Sequence, residues 1–303
     1  MNFHTLDDYR NNDNNNNNNN NYNNINQNNN NQYRPVLMRG MNDISGNRED
    51  IKNISFCEFL KQICCPQLKL KSFIFIISCI DIIYYIITLI YGGILPDPTQ
   101  LLPPTNEALD TFGMKVNYKI KNGQIWRWIT YGLLHANFIH IFFNIFSQLL
   151  IGSIIEAKIS TLKIGLLYLL VCISGGLFSS VANVNVNAVG ASVSIFGLFS
   201  AYFGDIIINY HRLIRVDANT VFCNCLFMGL IIFANFSVGF ANDRIDNYGH
   251  LGGLIFGFLW IFVLIRPFEE GTTACFSFKT WRIIAIVALA LLHALLLILF
   301  FVL

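Results

Sequence analysis

Charge is what this sequence has least of. Asp, Glu, Lys and Arg make up 13% of its 303 residues, about half of the roughly 25% found in soluble domains. The formal net charge is only +2, too small for an electrostatic grip on nucleic acid. No C-x-x-C pair and no Cys/His run with metal-ligand spacing occurs among the eight cysteines. A disulfide framework is therefore not expected, and the serine–histidine chemistry read below needs no metal or organic cofactor. The N-terminus has no basic region leading into a short apolar core, so a secretory leader is not expected, and an Arg-rich presequence is lacking too. There is no internal repeat, which argues against a transporter or channel.

What is abundant is apolar surface, at 54% of the chain. That composition places the chain in the membrane class. Residues 1–50 form an exception. From Asn11 to Gln32, 17 of 22 residues are Asn. Such a stretch buries too little apolar surface to offset its ordering entropy, so disorder is expected. Residues 51–71 read as a juxtamembrane segment. Cys64 and Cys65, beside the first apolar run, are candidates for S-palmitoylation, with reduced thiols as the plain alternative.

Seven apolar segments follow, near 72–93, 138–156, 163–182, 188–210, 219–238, 248–266 and 283–303. Each suits a helix crossing about 30 Å of hydrocarbon, and lipid leaves the backbone no alternative to helical spans. The expected fold is an all-α, polytopic membrane bundle. Orientation follows from basic residues. With a cytosolic N-terminus, the cytosolic side holds Lys52, Lys61, Lys69, Lys71, Lys158, Lys163, Arg212, Arg215, Arg266, Lys279 and Arg282. The outer side holds only Lys115, Lys119, Lys121, Arg127 and Arg244. The long connection from 94 to 137, with Pro96, Pro98, Pro103 and Pro104, is a candidate functional loop.

Ionisable and polar groups within spans are functional candidates by default. His140 and Asn144 lie one turn apart on one face of the second span. Ser192 opens the fourth, within Gly190-Ala191-Ser192, and His250 opens the sixth. Even-numbered spans run inward, so Asn144, Ser192 and His250 are expected at one depth beneath the outer surface. A serine becomes a nucleophile when a neighbouring base takes its proton, and histidine suits that role near neutral pH. His140, the Asn144 amide and the Ser192 N–H are candidate oxyanion donors. No acid is positioned to orient His250, because Asp246 falls in the preceding loop, so a dyad is expected. Gly253 and Gly257 on the sixth span, with Ser194, Gly197, Ala201 and Gly204 on the fourth, let the two helices approach closely. Phe196 is expected to pack on the His250 ring. Asp81, Asp205 and His293 have no evident partner and are read as packing or boundary residues. Ser147 and Gln148 are read as interhelical hydrogen-bonders, and Cys172, Cys223 and Cys225 as small fillers.

From Trp126 to Gly257 these residues resemble the rhomboid family of intramembrane serine proteases. The resemblance is carried by Trp126-Arg127, Thr130, His135, His140, Asn144, Gly152, Glu156, Gly190-Ala191-Ser192, Ile195-Phe196-Gly197, Asp246-Asn247, His250, Gly253 and Gly257. It implies a six-helix core (72–266) and a Ser192–His250 dyad, with His140 and Asn144 at the oxyanion. Trp126, Arg127, His135, Gly190, Phe196, Gly253 and Gly257 would support the site. It also implies single-pass transmembrane proteins as substrates and a Trp126-Arg127 loop partly in the outer leaflet. The linker and extra span, 267–303, resemble the 6+1 layout of eukaryotic secretase-type members, which favours the secretory pathway or plasma membrane over the mitochondrion. Val193 stands where the family commonly has Gly, and Gly249 where Ala is usual. The competing expectation is a non-catalytic membrane factor that binds helices in quality control or trafficking.

Overall fold

The computed structural model describes residues 70–240, 245–267 and 273–302. The Asn-rich segment, residues 51–69 and the Cys64/Cys65 pair lie outside the described residues. Ten α-helices occur among those described: α1 (Phe73–Gly92), α2 (Asn106–Thr111), α3 (Asn117–Lys121), α4 (Arg127–Thr130), α5 (Phe138–Ile159), α6 (Thr161–Ala182), α7 (Ser192–Ile208), α8 (Tyr210–Phe240), α9 (Asn247–Leu264) and α10 (Phe278–Val302). No strand forms among them, only two isolated bridges. Six helices are long and apolar enough to cross a membrane, and α7 is a shorter apolar helix. The chain is a multi-pass membrane protein.

Local chemistry sets the helix ends. The Ser72 hydroxyl accepts the Phe75 N–H at the start of α1, and Gly93 at φ 72° stops it. Asn137 accepts the His140 N–H and opens α5. Asp246 accepts the Gly249 N–H and opens α9. These are side-chain N-caps in positions where such residues are favoured. A single residue, Ser160 at φ 87°, turns α5 into α6.

Three of the expected spans begin four or more residues from the expected start, the seventh at Phe278 rather than 283. The fourth starts at Ser192 rather than 188, because Gly190 at φ 131° cannot continue a helix and Ala188 pairs with Lys115. The fifth starts at Tyr210, only one residue after α7 ends. Its first two turns carry Arg212 and Arg215 ahead of the apolar stretch Val221–Gly239.

Helix α7 is the centre of the bundle, buried along most of its length. It meets α9 backbone to backbone. A Cβ on Gly253 would lie 2.3 Å from the Val193 carbonyl oxygen, and one on Gly257 2.3 Å from that of Gly197. Side chains at either position would force the helices apart, so the Gly253/Gly257 stripe is the α9 side of the contact. On α7, Gly204 faces Ile261 of α9, whereas Ser194 bonds the Tyr168 carbonyl and a Cβ on Gly197 would meet Val171, both on α6.

Three polar residues read as unpartnered have partners. Asp81 accepts from the Gln148 amide at 3.2 Å, and Gln148 also bonds Ser78 and the Tyr168 hydroxyl, joining α1, α5 and α6. Asp205 pairs with Lys158 and accepts from Asn209 at 2.9 Å. His293 meets the Ser174 hydroxyl at 2.8 Å and the Leu289 carbonyl at 2.7 Å, which fastens α10 to α6. Spacing along the chain carries no sign of the interhelical links, because the partners lie on other helices.

Candidate active site

The site is assembled at the N-terminal ends of α5, α7 and α9. Ser192 is the first residue of α7 and is half-buried. His250 lies in the first turn of α9 and is buried. Their side chains meet, with His250 Nε2 2.9 Å from Ser192 Oγ. Two features hold the imidazole. Its ring stacks on Phe196, one turn along α7, with centroids 4.3 Å apart and planes 5° apart. Phe236 of α8 meets it edge-on at 6.2 Å.

His250 Nδ1 makes no protein hydrogen bond among the described residues. Asp246 is four residues away, but its carboxylate is engaged by Gly249 N–H, Lys115 and Ser179. The arrangement therefore has two members, with aromatic stacking where a triad would have a carboxylate.

Gly190 lies between His140 and Ser192. A Cβ there would lie 2.8 Å from His140 Nε2 and 3.5 Å from Ser192 Oγ. Only glycine combines that close approach with φ 131° without strain. The Gly190 N–H is bonded to the Tyr131 carbonyl at 2.9 Å, which fixes the turn. Asn144 sits one turn along α5 from His140, buried, with its amide Nδ2 free of any protein acceptor among the described residues. His135 is fully buried, its ring edge-on to His140 at 5.3 Å. Burial first, and then the His140 ring, holds His135 far below its ordinary range. It is a neutral packing partner for His140.

The supporting residues divide by role. Arg127 is buried and staples the loop, donating to the Met114 carbonyl at 2.6 Å, the Asp110 carbonyl at 2.9 Å and Gln124 at 2.7 Å. Trp126 beside it is exposed. Gly253 and Gly257 act by packing α9 on α7. Sequence reading misses Phe236, Lys115 and Ser179 as parts of the site. Along the chain Lys115 counts only as an outer-side charge. The available signal is Asp246, a carboxylate next to an apolar helix that needs a counter-charge.

A Ser–His pair at hydrogen-bond distance, beside the unspent Asn144 amide, has the side-chain types that acyl transfer by an activated serine requires. Comparison with known proteins points to one family. The family model described as Rhomboid domain matches residues 122–267. The chain is 38% identical over 195 residues to rhomboid-like protease 1 of Toxoplasma gondii, covering 64% of each. It is 31% identical over 215 residues to rhomboid-like protease 2 of that organism, covering 69% of this chain and 71% of the relative. Over 187 residues it is 30% identical to the rhomboid protease GluP of Bacillus subtilis (strain 168), covering 62% of this chain and 34% of the relative. The chain thus spans just under two thirds of the first of these relatives and about a third of the last.

Proposed function

The chain belongs to the rhomboid family, and from that premise we propose that it is an intramembrane serine endopeptidase in which Ser192 is the nucleophile and His250 the base. The observation that carries the proposal is the 2.9 Å approach of His250 Nε2 to Ser192 Oγ, contributed by two different helices. The family's named proteases lend the reaction class. The chain's own geometry lends the roles.

In this mechanism, the substrate is a single-pass transmembrane protein whose helix unwinds near its outer end. His250 accepts the Ser192 proton as Oγ attacks the scissile carbonyl. The new oxyanion takes hydrogen bonds from His140, from the Asn144 amide and from the Ser192 N–H. Donors fixed in advance at that point lower the barrier without reorganisation. His250 next gives the proton to the leaving amine, and water then hydrolyses the acyl-enzyme with His250 again as base.

Helix length supports a site below the membrane surface. At about 1.5 Å per residue, the 17 residues of α7 span about 26 Å. That falls short of a hydrocarbon core of about 30 Å. With its far end at one surface, α7 begins beneath the other, and Ser192 is its first residue. The basic-residue count favours a cytosolic N-terminus with the site facing outward, in the secretory pathway or plasma membrane.

Cleavage of a transmembrane reporter in reconstituted liposomes tests this reading. Ser192→Ala and His250→Ala are each expected to abolish product while expression and thermal unfolding stay unchanged. A fluorophosphonate should label the wild type and not Ser192→Ala. Undiminished cleavage by Ser192→Ala rejects the mechanism. A wild type that neither cleaves nor labels favours the non-catalytic helix-binding factor.

A further inference from the structure

Lys115 lies in the long loop between α2 and α3, ahead of the stretch matched by the family model. It is fully buried, which is rare for a lysine without a dedicated partner. Its backbone and its side chain go to different places. The Lys115 N–H donates to the Ala188 carbonyl at 3.0 Å, and the Ala188 N–H returns to the Lys115 carbonyl at 3.2 Å. Ala188 stands two residues before Gly190, in the segment that delivers Ser192. The Lys115 ammonium bonds the Ser179 hydroxyl at the end of α6 and the Asp246 carboxylate at 3.2 Å. Ser179 itself donates to the same carboxylate oxygen. The other Asp246 oxygen accepts the Gly249 N–H at 2.9 Å, and the Asp246 carbonyl accepts the His250 N–H at 3.1 Å.

We propose that Lys115 is a positioning residue that sets the Ser192–His250 separation, holding the serine segment by its backbone and the histidine helix by its ammonium. The inference rests on reading Ser192 and His250 as the reacting pair. Two separate helices carry these residues, so something must fix one against the other at the end where they open. Small-residue packing does this further along α7 and α9, and Lys115 does it at the mouth. The charges fit the task. Burial alone would raise the Asp246 carboxyl, yet Lys115, Ser179 and the Gly249 N–H together bring it below its usual range. Burial lowers the Lys115 ammonium, and Asp246 recovers part of that loss. The pair is thus an ion pair bonded on both sides, the geometry in which a buried salt bridge defines a position.

Lys115→Met, Asp246→Asn and the double variant, in the full chain reconstituted into liposomes, test the clamp. A misplacement of about 1 Å costs up to about 10²-fold in rate, so kcat should fall by about 10- to 100-fold with KM within about twofold. All three variants should fall alike, since each breaks the same link, and an asparagine in place of Asp246 still caps the helix. Recovery of kcat in the double variant would trace the loss to an unpaired buried charge and overturn the proposal. So would wild-type kcat in all three. If Lys115→Met does not fold, the neutral double variant carries the test, because removing both charges spares the fold. Hydrogen exchange reads the clamp without reference to catalysis. Amides 188–192 and 246–250 should exchange faster in the double variant, and unchanged exchange at both overturns the proposal. A wild type that neither cleaves nor labels at Ser192 rejects the catalytic reading instead, and the exchange data still decide the clamp.

Discussion

Val193 of α7 borders Gly249 of α9: a methyl group built on Gly249 would lie 3.0 Å from Val193 Cγ2, and nearer still, at 2.8 Å, to Oδ2 of Asp246. The Val193 side chain also fills the space over Gly175 of α6, where an added Cβ would come within 2.4 Å of Cγ1. Both Val193 and Gly249 adjoin the Ser192–His250 pair along the chain, the first directly after the serine and the second directly before the histidine. With no Cβ at Gly249, the Val193 side chain and the Asp246 carboxylate both fit against α9.

Gly249→Ala alone is therefore expected to destabilise the chain by about 1–3 kcal/mol, the usual range for overpacking. Adding Val193→Ala should recover part of that loss. Thermal unfolding of the four species in detergent gives the coupling, expected at about 0.5–3 kcal/mol for residues in contact. Strictly additive effects would show that the two sites are not in contact.

Asn144 is the cleanest probe of the oxyanion assignment, because its buried amide has no structural acceptor among the described residues. Asn144→Ala should lower kcat by about 10²-fold, typical of one lost donor, with little change in unfolding temperature. The effect should be smaller than that of Ser192→Ala, since other donors remain. A kcat within about twofold of wild type would remove Asn144 from the mechanism.

Acid should weaken the fold through Asp246. Its folded value lies below the ordinary 3.8. The stabilisation it provides is complete above that ordinary value and is lost as pH falls through the lower folded value. Wild type should accordingly lose stability below about pH 4, and Asp246→Asn should lack that component. Thermal unfolding across a pH series from neutral to acid makes the comparison. Identical acid limbs would mean that Asp246 gains nothing from its partners.

Helix α10 should support the loop between α1 and α5. Phe300 of α10 meets Trp128 of α4 edge-on at 5.2 Å, and the Lys121 ammonium lies 5.5 Å from the Phe300 centroid. Phe300→Ala is expected to cost roughly 1–3 kcal/mol and to speed limited proteolysis between α1 and α5. His293→Leu should weaken the same docking through the lost Ser174 bond. Unchanged proteolysis in both variants would sink the idea that α10 braces the loop.

Much of this molecule is legible in one dimension. The apolar runs require helical spans, since lipid offers the backbone no other partner, and each expected run contains a helix. Asn144, Ser192, His140 and His250 stand out because polar and ionisable groups are costly there. What stays hidden shares a physical trait. Asp81 and Gln148, Lys158 and Asp205, Ser174 and His293, Lys115 and Asp246 are partners whose spacing along the chain carries no periodic signal.

The sequence by itself determined that this chain crosses the membrane several times and which residues have the chemistry to attack a carbonyl, because hydropathy and side-chain type are local properties. Only the tertiary structure decided that Asp246 turns its carboxylate to Lys115 and Ser179, that Val193 packs beside Gly249, and that a buried lysine from the loop joins the serine segment to the histidine helix. Those are statements about distance between segments far apart in the chain, and distance is fixed by packing.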